Sequence, residues 1–456
     1  MGQQLPSLQR PATVPVHGLG LRLRTPVEGV AVGSCFVRRP RQGSLGEIRI
    51  RTGRQGEQTV SERGGRGTIT RTPRPRDRRA QIITAASDLF YRFGYHNVGT
   101  EDIASAVGIT AGALYRHFRS KEELLACTLT DSFELAAAVV DRHRCGQLTA
   151  MVQDLAETAG RRRDLGVLWS RETRHLSDEQ RQRMRERFFA FLSGFVTAMN
   201  DTRDELSRDD AELLAWCALA VLTSPSYHRV SAPPEAMVAL LRRMALSVCT
   251  ADIAGAASEV PGTDPGAAET GLSPRVRREA LLVAAARLFS SRGYQTVTME
   301  EVGAEVGVTS TGVYRHFATK ADLLTAIVAR AAEPLQLGMS RALSTATTAL
   351  DGLENAVVAY IDFAMAHTDL VNVLVAEVMN LPYPNRHRIR KTQHDYVAEW
   401  VSLMEVTHPE LDRSAALFRI HAVLMVVNDV ARTAHLRKQP GVTDKLQLVA
   451  ARILHG

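Results

Sequence analysis

From about residue 73 onward, apolar residues recur every three or four positions along the chain. Ile82, Ala85, Ala86, Leu89, Phe90 and Phe93 stand at i, i+3, i+4 and i+7, which makes one buried stripe of a helix. Gly94 follows where a C-terminal cap is wanted. Strand alternation and hairpin signals are absent, so the pattern predicts an all-α chain. Two stretches break it. Residues 1–72 are rich in Gly, Pro, Arg, Gln and Ser, show no sustained period, and read as a disordered tail. Residues 255–273 (GAASEVPGTDPGAAETGLS) read as a flexible linker.

After the linker the sequence begins again. Residues 78–125 align with 277–324 at a constant offset of 199 without a gap, giving about 20 identities in 48 positions. VGITAGALYRHF becomes VGVTSTGVYRHF, and Lys121 meets Lys320. Further on, DLGVLWSRE at 164–172 matches DLVNVLVAE at 369–377 with an offset of 205. Arg183, Arg185 and Phe191 then fall on Arg388, Arg390 and Tyr396. A drift of six residues over a span this long implies duplication of a whole domain. The period is also too long for a solenoid.

Within each repeat three short helices are expected, in the first copy at about 76–92, 101–107 and 111–118. Gly108 and Gly307 occupy the turn between the last two, where positive φ is easily reached. Thr110 and Thr309 stand where an N-cap hydroxyl satisfies the next helix. Thr298-x-x-Glu301 reads as a capping box; the first copy has Gly99 there, a weaker cap. Helix, Gly-containing turn and short helix make a helix-turn-helix, whose last helix enters the DNA major groove.

That last helix carries Tyr115, Arg116 and His117 in one copy and Tyr314, Arg315 and His316 in the other. Leu114 and Phe118 are expected to face the small core. Tyr, His and Lys suit phosphates, whereas Arg116 or Arg315 can fork onto guanine. Taken alone, each Tyr is as readily a packing aromatic. Only five lysines stand against 51 arginines, yet Lys121 and Lys320 recur where the next helix starts. This points to phosphate contact from a helix N-terminus.

Charge must be partitioned before it supports a DNA reading. The chain of 456 residues carries a net +7, but residues 1–79 hold 16 Arg and 5 acids, a net +11. The remainder carries −4, so the basic excess belongs to the tail. Five cysteines (Cys35, Cys127, Cys145, Cys217 and Cys249) show no CxxC pair and no metal-ligand spacing. No disulfide framework, metal or cofactor is expected. No apolar signal segment or membrane-length run is seen, which fits a cytoplasmic protein without a membrane partner. Walker A, GxSxG and HExxH motifs are missing, which argues against an enzyme.

Both repeats resemble the DNA-binding domain of TetR/AcrR-type transcriptional regulators. The residues that carry the resemblance are LF…GY…V with DIASAVGITAGALYRHFRSKEELL, and EVGAEVGVTSTGVYRHFATKADLL in the second copy. As a whole the chain is similar to single-chain tandem TetR-like repressors of actinobacteria that control lipid- and steroid-related genes. Gly303 departs from the small Ala usual on the second helix, implying a looser second unit. The resemblance implies helix-turn-helix domains at 73–122 and 274–321, and helical ligand and dimerisation domains at 123–254 and 322–456. It implies a double-stranded DNA operator read by Thr110, Ala111, Gly112, Ala113, Tyr115, Arg116, His117 and Lys121. The second copy offers Thr309, Ser310, Thr311, Gly312, Tyr314, Arg315, His316 and Lys320.

An apolar small-molecule effector between the helices is also implied, with Trp169, Glu172, Phe189, Trp216, Glu377, Tyr396 and Trp400 as candidate contacts. Each of these can equally be core. Glu172 and Glu377 lie in apolar runs and match each other, and a buried carboxylate needs a partner, for which Arg171 or Arg174 is at hand. Helices 209–224 with 234–254, and 412–436 with 441–455, are the expected dimerisation pairs. One chain would then form an intramolecular pseudo-dimer or assemble into a higher homo-oligomer. The implied function is a ligand-responsive regulator, as a repressor. A nucleoid-type protein without sequence preference and an all-helical enzyme without a recognisable motif are the rivals.

Overall fold

The computed structural model describes residues 75–143, 146–254 and 274–456. The expected tail at 1–72 and linker at 255–273 lie outside the described residues, as do Cys35 and Cys145. All regular structure in the described residues is helical. The first copy opens with α1 (Pro75–Phe93), α2 (Thr100–Ala106) and α3 (Ala111–Leu114). It continues with α4 (Lys121–Arg142), α5 (Leu148–Arg161) and α6 (Leu165–Val167). A π-helical turn (Leu168–Glu172) and a 3-10 turn (Thr173–His175) follow, then α7 (Asp178–Thr202), α8 (Arg208–Thr223) and α9 (Pro234–Cys249). The second copy repeats the order as α10 (Arg277–Arg292), α11 (Met299–Glu305), α12 (Ser310–Tyr314) and α13 (Lys320–Thr345). It ends with α14 (Ala349–Ala366), α15 (Thr368–Ala376), α16 (Tyr383–Thr407), α17 (Arg413–Arg432), α18 (Ala434–Arg437) and α19 (Val442–His455).

Most helix starts follow from local chemistry. Ser120, Ser177, Ser207, Thr348 and Asp412 each accept a hydrogen bond from a backbone N–H in the first turn of α4, α7, α8, α14 and α17. The residues that follow place an apolar stripe inward. On α5 these are Leu148, Met151, Val152, Leu155, Ala156 and Ala159.

The stripes meet in three cores. One surrounds α1–α3 and takes Leu168, Leu176 and Met184 from the body of the first copy. A second surrounds α10–α12 and takes Val373, Val378, Leu381 and Ile389 from the body of the second. The third and largest runs without interruption from α4–α9 into α13–α19. It is continuous because α8 and α9 pack against α17 and α19 as a four-helix arrangement. Lys445 of α19 pairs with Asp210 of α8 across this contact at 2.7 Å, and His435 reaches Glu212 at 3.1 Å. Both members of the first pair are nearly buried, so each depends on the other to offset its lost hydration. Among the described residues α17, and α14 with α15 as a pair bent by 98°, are long and apolar enough to cross a bilayer. In α17 that apolarity is spent on the shared core, where Phe418, Ile420, Val423 and Val427 are buried.

Two histidines meet at the same junction. The His228 ring stacks on His421 at 4.4 Å, and its Nδ1 accepts from the Val230 N–H at 3.2 Å. Burial, then the neighbouring charge of His421 and Arg163, pushes His228 down to about 2. Burial and His394 push His421 down to about 4. Both are therefore held neutral in the folded state and take up protons on unfolding. Stability from this pair is complete above the unfolded value near 6.5 and is lost as pH falls below it. Each contributes a slope of up to about 1.4 kcal/mol per pH unit. Buried Asp429, raised to about 6, acts in the opposite direction between about pH 4 and 6. Urea unfolding at pH 7.5, 6.5 and 5.5 should show a falling midpoint, and His421→Gln should flatten that trend. A midpoint that does not move with pH in either protein would contradict this account.

Candidate nucleic-acid interface

Each recognition unit is built from a turn and a cap. The chain reverses at Gly108 with φ 69° and at Gly307 with φ 68°, left-handed values that Gly adopts without strain. Thr110 Oγ1 accepts from the Ala113 N–H at 3.2 Å, and Thr309 Oγ1 from the Gly312 N–H at 3.4 Å. Gly99 has no side chain to offer, but the Asp102 carboxylate still accepts from the Gly99 N–H at 2.7 Å. At Thr298 the capping box is complete.

The caps leave a short helix with two faces. Leu114, Phe118, Val313 and Phe317 are buried in the small cores. Helical geometry proper ends at Leu114, earlier than the spacing suggested, and tight turns carry the chain to Phe118. Tyr115 and Tyr314 are half exposed, at 50% and 51%, which removes the reading of both as core aromatics. Arg116, Arg315 and His316 are exposed beside them, and His117 is partly so. Ala111, Gly112 and Ala113 in one copy, and Ser310, Thr311 and Gly312 in the other, lie partly or fully open on the same short helices. The two units thus present the same Tyr-Arg-His group behind different small residues.

Lys121 and Lys320 are partly consumed within the protein. Lys121 Nζ donates to the Tyr95 carbonyl and lies 4.1 Å from the Tyr95 ring centre. Lys320 Nζ donates to the Gln295 carbonyl at 3.3 Å and lies 4.4 Å from the Tyr294 ring. Burial lowers the pKa of both ammonium groups, and nearby carboxylates work against that shift. Each lysine therefore clips the start of α4 or α13 to the Gly-Tyr corner after α1 or α10, using one of its three donors.

Beneath those corners sit the two matched glutamates. Glu172 is buried, pairs with Arg171 and accepts from the Tyr95 N–H at 3.3 Å. Glu377 is fully buried and takes its cation from the other copy. Arg174 reaches both its oxygens, with Nη2 to Oε2 at 3.3 Å, and Asn380 Nδ2 donates to Oε2 at 2.7 Å. Glu172 is thus a strut between body and recognition unit and Glu377 one between the two bodies, and their oxygens are already taken. Neither carboxylate is free to serve as the effector contact expected from the sequence.

The other effector candidates divide. Trp169 stacks on Phe133 and Phe188 at 5.4 and 5.0 Å, and Trp216 lies between Phe188 and His435 of the other copy. Tyr396 lies against Tyr360 and Trp400. Trp400 is fully buried core, so it lines no open space, and Phe189 is 47% exposed on the outer side of α7. Two surface grooves beside α4 and α7 are lined by other residues, among them Ala126, Thr130, Gln180 and Arg183.

Gly303 also differs from expectation. A Cβ there would lie 2.6 Å from the Val308 carbonyl oxygen and 3.0 Å from Val313. The glycine lets the turn close tightly onto α11, so the second unit is compact where a looser one was expected.

Comparison with known proteins agrees with this architecture. The model of bacterial regulatory proteins of the tetR family matches the chain twice, at residues 82–127 and 281–327. The HTH-type transcriptional repressor KstR2 of Rhodococcus jostii is 32% identical over 145 residues, covering 28% of this chain and 67% of that protein. The HTH-type transcriptional activator FasR of Mycolicibacterium smegmatis is 38% identical over 87 residues, covering 19% of this chain and 40% of FasR. The structure of the ketosteroid transcriptional regulator KstR2 of Mycobacterium tuberculosis aligns with 40% of this chain and 95% of its own, at 19% identity and a TM-score of 0.34. The fold is that of a duplicated helix-turn-helix regulator. The chain belongs to the TetR family of bacterial regulatory proteins.

Two substitutions test these contacts. Gly303→Ala should destabilise the second unit by about 1–3 kcal/mol, because crowding exceeds the helix-propensity gain of about 1 kcal/mol. Neutral or raised stability in urea unfolding would refute the close approach. Arg174→Met should cost about 3 kcal/mol by leaving Glu377 buried and unpaired, and adding Glu377→Gln should restore most of the loss. Additive losses in the double variant would show that the pair does not act as a unit.

Proposed function

We propose that the chain is a ligand-responsive transcriptional repressor that grips one operator with both recognition units as an intramolecular pseudo-dimer. The observation that carries this reading is the pair of capped helices exposing Tyr115-Arg116-His117 and Tyr314-Arg315-His316 from one body with a shared core. A covalent link between the copies supplies a high effective concentration, so two-headed binding needs no second chain. Thr110, Lys121, Thr309 and Lys320 position each helix, Tyr and His bind phosphates, and Arg116 and Arg315 read base edges. Ala111-Gly112-Ala113 against Ser310-Thr311-Gly312 gives half-sites that are related but not identical.

The proposed effector is an apolar small molecule of lipid or steroid type. The aromatic group of Phe133, Trp169, Phe188 and Trp216, close to the junction of the copies, supports it, as does the likeness to the KstR2 repressor. Such a ligand acts only through its different affinity for the DNA-competent and incompetent spacings of the two units. The relay we infer is Arg174–Glu377, which joins the bodies of the two copies, with the Arg174 guanidinium lying against Gly293 at the corner of the second recognition unit.

Genome-wide occupancy followed by footprinting tests the reading. One chain should protect a single imperfectly palindromic site, and Tyr115→Ala or Tyr314→Ala should each weaken binding about tenfold through a lost phosphate contact. A perfectly symmetric site filled by two chains, each using one unit, would overturn the pseudo-dimer. Equal retention by unrelated DNA at physiological salt would favour the nucleoid-type reading instead.

A further inference from the structure

The second copy holds a group of cations that neither recognition nor the shared core uses. α16 opens with Arg386, Arg388, Arg390 and Lys391 and has no acid before Asp395. The matching stretch of α7, residues 178–187, carries Asp178, Glu179 and Glu186 among its arginines. There Arg181 pairs with Asp178 at 3.4 Å and Arg183 with Glu179 at 2.6 Å. In α16 those acids are replaced by Tyr383, Pro384 and Lys391. A helix N-terminus already bears roughly half a positive charge, so uncompensated cations in its first turns are unfavourable. The duplication has therefore removed the balancing charge from one copy while keeping the arginines.

Geometry concentrates the excess. Arg386 and Arg390 stand one turn apart and are half-buried. Both close on Met379: Arg386 Nη1 donates to its carbonyl at 3.2 Å, and Arg390 Nη2 lies 3.2 Å from its sulfur. No ion pair engages either guanidinium among the described residues. The charge of Arg229, on the loop between α8 and α9 of the other copy, is felt at Arg390. That loop is fixed, because Arg163 binds the carbonyls of Pro225, His228 and Val230, and His228 stacks on His421. Burial, then the charges of Arg386 and Arg229, pull the Arg390 guanidinium below its ordinary value.

We propose that Arg386 and Arg390 form a binding site for a small diphosphate-bearing anion at the junction of the copies. Planar guanidinium forks match phosphate oxygens two at a time, and two forks converging on Met379 suit the two phosphoryl groups of a diphosphate. The half-buried position at the junction favours a small molecule over a DNA backbone, which would be met by exposed Arg388 and Lys391. An anion held there draws the charge of Arg229 toward the second copy and is linked to the spacing of the two. That consequence rests on the regulator reading, whereas the binding itself does not.

Isothermal titration of the full chain with sodium pyrophosphate at constant ionic strength tests the site without DNA. Saturable one-to-one binding is expected in the wild type and in Arg388→Gln/Lys391→Gln. Arg386→Gln/Arg390→Gln should weaken it about tenfold or more. In chloride alone, that second variant should melt at or above the wild-type temperature, because repulsion is relieved, which establishes that it is folded. Absence of saturable binding in the wild type overturns the proposal. So does equal weakening by both double variants, which would mean diffuse charge. Loss of operator affinity in Arg386→Gln/Arg390→Gln with no pyrophosphate binding by the wild type would make the cluster a DNA contact instead.

Discussion

The structure depends on one constraint: the apolar faces that α8 and α9 leave uncovered by their own body are buried by α17 and α19 of the other. Their union turns two homologous bodies into a single hydrophobic core, in which Leu214, Leu241, Val423, Val427 and Val449 are all buried. Non-directional burial of this kind supplies most of the favourable free energy, but it specifies orientation poorly. Orientation comes from polar groups between the copies, Lys445 with Asp210 at the seam and Arg174 with Glu377 beneath the second corner, because a displaced charge would lose its partner without regaining water. The recognition units have their own small cores, completed by apolar side chains of the bodies and tied to them by a few polar ones.

Duplication within one chain has allowed those side chains to diverge. Glu172 and Glu377 occupy matched positions, yet Glu172 takes Arg171 from its own copy, where the second copy has Ala376. Glu377 instead takes Arg174, whose match in the second copy is Met379. Around Glu172 stand His96 and His175, with ring centres 4.3 Å apart; around Glu377, Gln295 donates to Asn380 at 2.9 Å. One corner is thus aromatic and titratable and the other is an amide pair. Identical copies of a symmetric dimer could not make a one-way contact of this kind, because any change would appear on both sides.

Much of the architecture was legible because it is local. Gly108, Gly307, Thr110 and Thr309 announce the turn and cap through backbone requirements that act within four residues. The spacing of Leu114 and Phe118 announced the buried face of the short helix, and the offset of 199 announced the repeat. The roles of Glu172, Glu377 and Lys121 were only half legible. Sequence showed that a carboxylate in an apolar run needs a cation and that a recurring lysine has a task. It gave no way to see that Arg174, 203 residues away, would reach Glu377, or that the lysine would turn inward to Tyr95.

By itself the sequence determined the all-helical class, the duplication and the chemistry displayed at the recognition helices, since periodicity, caps and turn glycines are properties of short segments. The tertiary structure decided which charges are buried, which copy supplies each partner and which aromatics are core. Those outcomes depend on the packing of α8 and α9 against α17 and α19, a contact between residues more than 160 positions apart that leaves no local signature.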